Sequence, residues 1–238
     1  MIRMKKVVII GRNGQVAWEL QQEVPEDIEL LVLGSSDINI LDIDALSNVI
    51  REFQPSVIIN ASAYTAVDRA EEDKEQAYAI NETAVKNLAQ IAKQLKSRFI
   101  HVSTDFVFDG KKNTAYKIED STNPLGVYGA SKLAGEKIIQ SLYPENSTIV
   151  RTSWVYSSHG NNFVKTMLRL MREKESLGIV ADQIGCPTYA KGLAKFLWHL
   201  ADISELHPMY NWSDLGVASW YDFATAIQEV ALSLGVLT

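Results

Sequence analysis

Short apolar runs alternate with stretches of helical spacing over the first 151 residues, and this alternation constrains the fold more than any single residue does. Residues 6–10, 29–33, 56–60, 98–103 and 148–151 read as strands, and residues 15–24, 43–53, 75–95 and 131–142 read as helices. Several of the runs hold consecutive apolar residues, as in Val7-Val8-Ile9-Ile10 and Val57-Ile58-Ile59. Strands of that kind are buried on both faces, and their alternation with helices builds βα units around a parallel sheet. The expected fold class is therefore α/β, a doubly wound parallel sheet of Rossmann type, with a small C-terminal lobe. Residues 1–151 read as a dinucleotide-binding domain. Beyond Thr152 the rhythm changes, and short helices at 163–174 and 191–201 interleave with aromatic, Asn- and Gly-containing segments. Residues 152–238 read mostly as a substrate-binding lobe, partly woven back onto the sheet. No internal repeat or low-complexity linker interrupts the chain.

Gly11-Arg12-Asn13-Gly14-Gln15-Val16-Ala17 follows the first strand directly and opens a helix. The first glycine permits a tight turn, and the second lets backbone approach a pyrophosphate at the helix N-terminus. Ala17 fills the third small position, where helix and strand pack closely. The pattern gains meaning from its place on strand one of an alternating α/β chain. An NAD-preferring site commonly carries Asp or Glu at the end of strand two. Here that strand ends Leu33-Gly34-Ser35-Ser36, with two hydroxyls able to donate to a 2′-phosphate and Arg12 able to add charge. The balance leans to NADPH over NADH, tempered by Asp37 close by.

The formal net charge is −6, from 23 Lys+Arg against 29 Asp+Glu. A nucleic-acid or membrane-surface role usually needs a basic face, so neither is expected. The basic start Met1-Ile2-Arg3-Met4-Lys5-Lys6 leads into an apolar run too short for a signal peptide, and no stretch reaches membrane-span length. Cys186 is the only cysteine, so no disulfide closes within the chain. These features point to a cytoplasmic protein.

Tyr128-Gly129-Ala130-Ser131-Lys132 places a phenol and an ammonium four residues apart, on one helical face. A free phenol, with a pKa near ~10, is a poor acid/base at neutral pH, and a neighbouring cation lowers that value. Ser103-Thr104-Asp105 ends the fourth strand, at the carboxyl edge where doubly wound sheets bind ligands. A Thr104 hydroxyl there can hydrogen-bond a carbonyl beside Tyr128. The order glycine turn, Ser/Thr at a strand end, then Tyr and Lys opening the next helix resembles the short-chain dehydrogenase superfamily.

Longer segments resemble one family within it, dTDP-4-dehydrorhamnose reductase. They include the glycine turn continued through Trp18-Glu19-Leu20, Asn60-Ala61-Ser62-Ala63-Tyr64-Thr65-Ala66-Val67-Asp68, Val102-Ser103-Thr104-Asp105-Phe106-Val107-Phe108, Arg151-Thr152-Ser153-Trp154-Val155-Tyr156, Gly160-Asn161-Asn162-Phe163 and Asp182-Gln183-Ile184-Gly185-Cys186-Pro187-Thr188. The resemblance runs through essentially the whole chain. It implies NAD(P)H-dependent reduction of the 4-keto group of a dTDP-sugar, giving dTDP-L-rhamnose for surface polysaccharide. It implies Tyr128 as proton donor, Lys132 tuning Tyr128 and binding the nicotinamide ribose, and Thr104 polarising the ketone with Asp105 beside it. Gly11, Arg12, Asn13, Gly14, Gln15, Val16, Ser35, Asp42, Ile43, Ala61, Ala63, Tyr64 and Lys132 would hold the cofactor. Trp154, Asn162 and Lys165 would contact the sugar nucleotide. Asn81 is expected to brace backbone, and His101 to be a satisfied core histidine.

The sequence departs from the family in three ways. Phe106 stands where tyrosine is frequent. Some members form dimers bridged by magnesium through glutamates, but Lys191 replaces one of these, so Glu19 is not expected to hold a metal; the chain is expected to be a monomer or homodimer. The chain also stops at Thr238, short of the family's usual length, which implies an incomplete substrate lobe. Two rivals remain. A sugar-nucleotide dehydratase usually carries Thr-Asp-Glu at the fourth strand end, and Phe106 cannot transfer a proton. A non-catalytic nucleotide-binding subunit, like the regulatory subunit of methionine adenosyltransferase, would be favoured by loss of Tyr128 or Lys132, and both are retained.

Overall fold

The computed structural model describes residues 4–237; the start Met1-Ile2-Arg3 and the terminal Thr238 lie outside them. Six strands form one parallel sheet: β1 (Lys5–Ile10), β2 (Ile28–Leu33), β3 (Val57–Asn60), β4 (Arg98–Thr104), β5 (Ser147–Thr152) and β9 (Met209–Asn211), in the order β2-β1-β3-β4-β5-β9. Every pairing in it is parallel. The order reverses direction at β1, between β2 and β3, and a doubly wound sheet opens a ligand crevice at such a switch point, outside the strands' carboxyl ends.

Apolar side chains from alternate faces of the strands explain the two layers. Val8, Ile10, Ile58 and Phe99 pack beneath α2 (Ile43–Phe53), α4 (Ala84–Leu95) and α5 (Val127–Leu142). Val7, Ile9, Ile59, Ile100 and Val150 face α1 (Gln15–Gln22) and α7 (Ala190–Asp202) on the other side. Each such side chain, fully buried, contributes roughly 1.5–3 kcal/mol of transfer free energy. The last sheet strand, β9, and α7 come from beyond residue 151 and complete the sheet and one of its layers.

The predicted 75–95 helix is in three parts, α3 (Lys74–Tyr78), a π turn (Ala79–Thr83) and α4. The wide turn carries Asn81 inward, where it is buried. The helix expected at 131–142 begins earlier, at Val127, after Gly126 in extended conformation, so Tyr128 lies in its first turn. Beyond the sheet, α6 (Phe163–Glu173) and α8 (Trp220–Ser233) pack on each other through Met167, Ala224 and Ile227. Two small ribbons join this lobe: β6 (Val155–Tyr156) with β8 (Thr188–Tyr189), and β7 (Ile184–Gly185) with β10 (Ala218–Ser219). Among the described residues, no helix is long and apolar enough to cross a membrane.

Candidate active site

A cleft of about 460 Å³ opens at the switch point, walled by the glycine turn, the loop after β2 and the loop after β3. Gly11 has φ of +110°, and a Cβ there would lie 2.8 Å from the Ser62 amide nitrogen and 2.9 Å from the Ala61 carbonyl. Its bare backbone lets the turn lie against the β3 loop. Gly14, which lines the cleft, caps α1 without a side-chain hydrogen bond to the helix's first-turn amides. An anionic diphosphate suits such a helix end.

Of the residues expected to hold the cofactor, Gly11, Asn13, Gly14, Ser35, Ala63 and Tyr64 line this cleft. Arg12 turns away, donating to the Val32 carbonyl and pairing with Asp37 at 3.2 Å. The Asp37 carboxylate also accepts from the Gly34 amide at 2.8 Å, so the acidic residue near strand two is already engaged. Val16 packs into the core and Ala61 beneath the turn. Gln15 reaches the other lobe, donating to the Val155 carbonyl at 3.3 Å. Asp42 caps α2 by accepting from the Ala45 amide at 3.0 Å, and Ile43 begins that helix at the surface. The lining in that quarter comes from Ile38, Asn39, Ile40 and Leu41 instead. These four carry no sequence signal, because the loop's path after β2 decides which of its residues face inward.

Beside the cleft, α5 presses onto two backbone segments. A Cβ on Gly129 would fall 2.1 Å from the Phe106 carbonyl oxygen, and one on Gly135 would fall 2.2 Å from the Asn81 carbonyl oxygen. This contact sets Tyr128 against the short turn Asp105–Val107 that follows β4. Thr104 donates to the Asp105 carboxylate at 3.2 Å, and the Phe106 ring meets Tyr128 edge-on at 5.5 Å. Asn81 holds Tyr64 through both its amide and its carbonyl, at 2.9 and 3.1 Å, and donates to Ser131 at 2.9 Å. It braces backbone, as expected.

Burial pushes the Tyr128 phenol up to about 12, with the Thr104 hydroxyl opposing that rise and the Asp105 charge adding to it. Burial also raises Asp105 to about 6, against hydrogen bonds from Thr104 and nearby backbone. Lys132 is fully buried, and its amine donates to the Val102 carbonyl at 2.7 Å; burial lowers it to about 8, against the Glu136 charge. Burial thus raises the phenol, and the Lys132 amine lies on the β4 backbone. The phenol is held protonated and the carboxylate sits near neutrality.

Behind α5, the buried Glu136 accepts from Ser103 at 2.6 Å and from Arg151 through three contacts of 2.6–3.2 Å. Sequence reasoning missed this pair, because nothing in the spacing of residues 103, 136 and 151 announces that they meet.

In the second lobe, Trp154 adopts φ of +46°, and its indole stacks on Trp220 at 3.5 Å, with Gly185 beneath it. Asn162 caps α6 and donates to Gln15 at 2.9 Å and to the Ser157 carbonyl at 2.7 Å. It ties the glycine turn to this lobe. Lys165 is exposed and donates to the Gly160 carbonyl at 2.9 Å. Glu19 is buried and accepts from Ser157 at 2.7 Å, while Lys191 pairs with Glu23 at 2.8 Å. Among the described residues, no group of three or more His, Cys, Asp or Glu side chains is gathered to hold a metal.

A family model described as the RmlD substrate binding domain matches residues 4–234. The chain belongs to this family. It is 43% identical to a dTDP-4-dehydrorhamnose reductase of Aggregatibacter actinomycetemcomitans, over 98% of this chain and 82% of that protein. It is 39% identical to one of Escherichia coli K12, over 97% and 79% respectively. Among solved structures, the dTDP-4-dehydrorhamnose reductase of Bacillus anthracis in complex with NADP superposes with a TM-score of 0.93 at 38% identity, covering 96% of this chain and 81% of that one. The Clostridium acetobutylicum ortholog gives 0.92 at 37%, covering 98% and 82%. These RmlD-family structures share the parallel α/β sheet described above.

Proposed function

We propose that this chain reduces the 4-keto group of dTDP-4-dehydro-L-rhamnose to dTDP-L-rhamnose, using NADPH or NADH. The observation that carries the reading is the Tyr128 phenol set against Thr104 and Asp105, with Lys132 one helical turn further on, beside a cleft of about 460 Å³ walled by the glycine turn. Relatives named for this reaction, and a relative bound to NADP, support it. The cleft suits a dinucleotide: the absence of a Cβ at Gly11 lets the glycine turn close on the β3 loop, and Gly14 leaves the start of α1 without a side-chain cap. When bound, the reduced nicotinamide supplies the hydride.

This chain's residues do the rest. Thr104 offers a hydroxyl to the ketone oxygen, and Tyr128, kept protonated by burial, gives that oxygen its proton. Negative charge then left on the phenol is stabilised by Lys132 in its ammonium form, which would also hold the ribose hydroxyls of the bound cofactor. Asp105, raised to about 6 by burial, loses its opposing charge as pH falls below that value. Gly11, Arg12, Asn13, Gly14, Gln15, Val16, Ser35, Asp42, Ile43, Ala61, Ala63 and Tyr64 form and support the cofactor side. Trp154, Asn162 and Lys165 serve the sugar nucleotide from the second lobe. Residues 1–151 act mainly as the dinucleotide-binding part and residues 152–238 as the substrate part. The setting is the cytoplasm, where nucleotide sugars are made, and the working unit is a monomer or homodimer. Phe106, exposed at the mouth, brings no acid or base for a dehydration.

The test follows loss of NADPH or NADH absorbance on adding dTDP-4-dehydro-L-rhamnose. Tyr128→Phe is expected to lower kcat by roughly 10²–10⁴-fold with cofactor binding retained. Full activity in that variant overturns the assignment of the proton donor.

A further inference from the structure

We propose that His101 is a positioning residue for Lys132, held as the neutral Nε2–H tautomer so that its N–H faces the lysine amine and favours the unprotonated form. Asn60 and His101 are register partners on β3 and β4, exposed by 1% and 0%. The Asn60 side-chain oxygen accepts from the Ser62 amide at 3.0 Å and from the Ser62 hydroxyl at 2.7 Å. A backbone N–H can only donate, so the orientation of the Asn60 amide is fixed. Its NH2 group therefore points at His101 Nδ1, 3.0 Å away, and Nδ1 must accept.

A neutral imidazole carries one proton, which is then on Nε2. Burial and the Lys132 charge both hold His101 neutral, well below its ordinary pKa. Nε2 lies 3.3 Å from the Lys132 amine. An N–H facing nitrogen is satisfied only by a lone pair, which the amine has and the ammonium lacks. The path cannot extend as a proton relay, because the fixed NH2 of Asn60 offers no acceptor beyond Nδ1. His101 is a clamp on Lys132, anchored through Asn60 to Ser62, a residue of the cleft wall.

Besides His101, the charged or titratable groups on α5, on β4 with the turn after it, and on β5 are Tyr128, Glu136 and Lys137 on α5, Arg98 on β4, Asp105 in the turn and Arg151 on β5, the last already paired with Glu136. Of these, Glu136 favours the ammonium. His101 opposes it from β4.

The kinetic side of this inference rests on the reductase reading; the structural side does not. In 15N-histidine-labelled protein, with the His101 signals assigned by their loss in His101→Gln, the expected tautomer has bare Nδ1 and protonated Nε2. A protonated Nδ1 overturns the proposal, whether or not the protein turns over any sugar. In reductase assays, the alkaline limb of kcat reports loss of the Lys132 ammonium. His101→Phe is expected to move that limb up by about one pH unit. Gln at this position can accept from Asn60 and donate to Lys132, so His101→Gln is expected to return the limb close to its wild-type position. A limb unmoved in folded His101→Phe, or moved equally in both variants, overturns the proposal. Should His101→Phe not fold, the tautomer and the His101→Gln limb decide.

Discussion

Replacing Arg151 by methionine tests how the catalytic helix is held on the sheet. Arg151 is 5% exposed and Glu136 1% exposed, so neither charge has water to fall back on. The change removes three contacts of 2.6–3.2 Å from the Glu136 carboxylate and leaves it one donor, Ser103. It also removes a guanidinium 5.1 Å from the Phe108 ring. Breaking a buried pair from one side costs about 3–5 kcal/mol, chiefly by stranding the remaining charge. For a chain of this size that lowers the melting temperature by about 6–20 °C. Circular-dichroism melts of Arg151→Met at pH 7.5 read the shift directly. Glu136→Leu combined with Arg151→Met strands no charge, only the Ser103 hydroxyl, and is expected within about 2 kcal/mol of the parent. The reasoning is refuted if Arg151→Met melts within about 2 °C of the parent, or if the double variant is as unstable as the single one.

Gly11→Ala is expected to abolish measurable NADPH binding by fluorescence titration while leaving the fold intact by circular dichroism, because its Cβ would strike the Ala61–Ser62 backbone at 2.8–2.9 Å with φ of +110°; binding within about threefold of the parent would show that the turn relaxes. Gly129→Ala, whose Cβ would fall 2.1 Å from the Phe106 carbonyl, should displace α5 and lower kcat far more than it raises the KM for NADPH, as steady-state kinetics will show. Stability should also depend on His101. Its folded pKa lies well below its unfolded value of about 6.5, so its contribution is complete above that pH and is lost as pH falls, at up to about 1.4 kcal/mol per unit. Asp105, raised to about 6, acts in the opposite sense, its contribution being present at low pH and lost as pH rises through about 6. The difference in urea-unfolding stability between the parent and His101→Gln isolates the first term; a difference constant from pH 7.5 to 5 would refute it.

The first five strands of the sheet, the α/β layering and the candidate chemical groups were legible in the sequence, whereas the sixth sheet strand at Met209–Asn211 was not. Unbroken apolar runs such as Val7–Val8–Ile9–Ile10, alternating with helical stretches, read as strands covered on both faces, and residues 43–53 carried the helical spacing that the structure forms as α2, with Leu46 and Ile50 buried. Tyr128 and Lys132 share a helical face by spacing alone, and Thr104 ends a strand whose carboxyl edge topology turns to the cleft. Tertiary structure decided everything that depends on distance between segments. Apolar periodicity marked that helix only from residue 131; in the structure it starts at Val127, with Gly129 packed on the Phe106 carbonyl and Tyr128 in the first turn. The π turn that carries Asn81 inward, the Glu136–Arg151 pair and the contact of Asn60 with His101 join residues remote in the chain. Protonation was settled last and least legibly. A tyrosine beside a lysine suggests a lowered pKa, but desolvation acts on the whole volume around a group, and that volume exists only once the chain has folded.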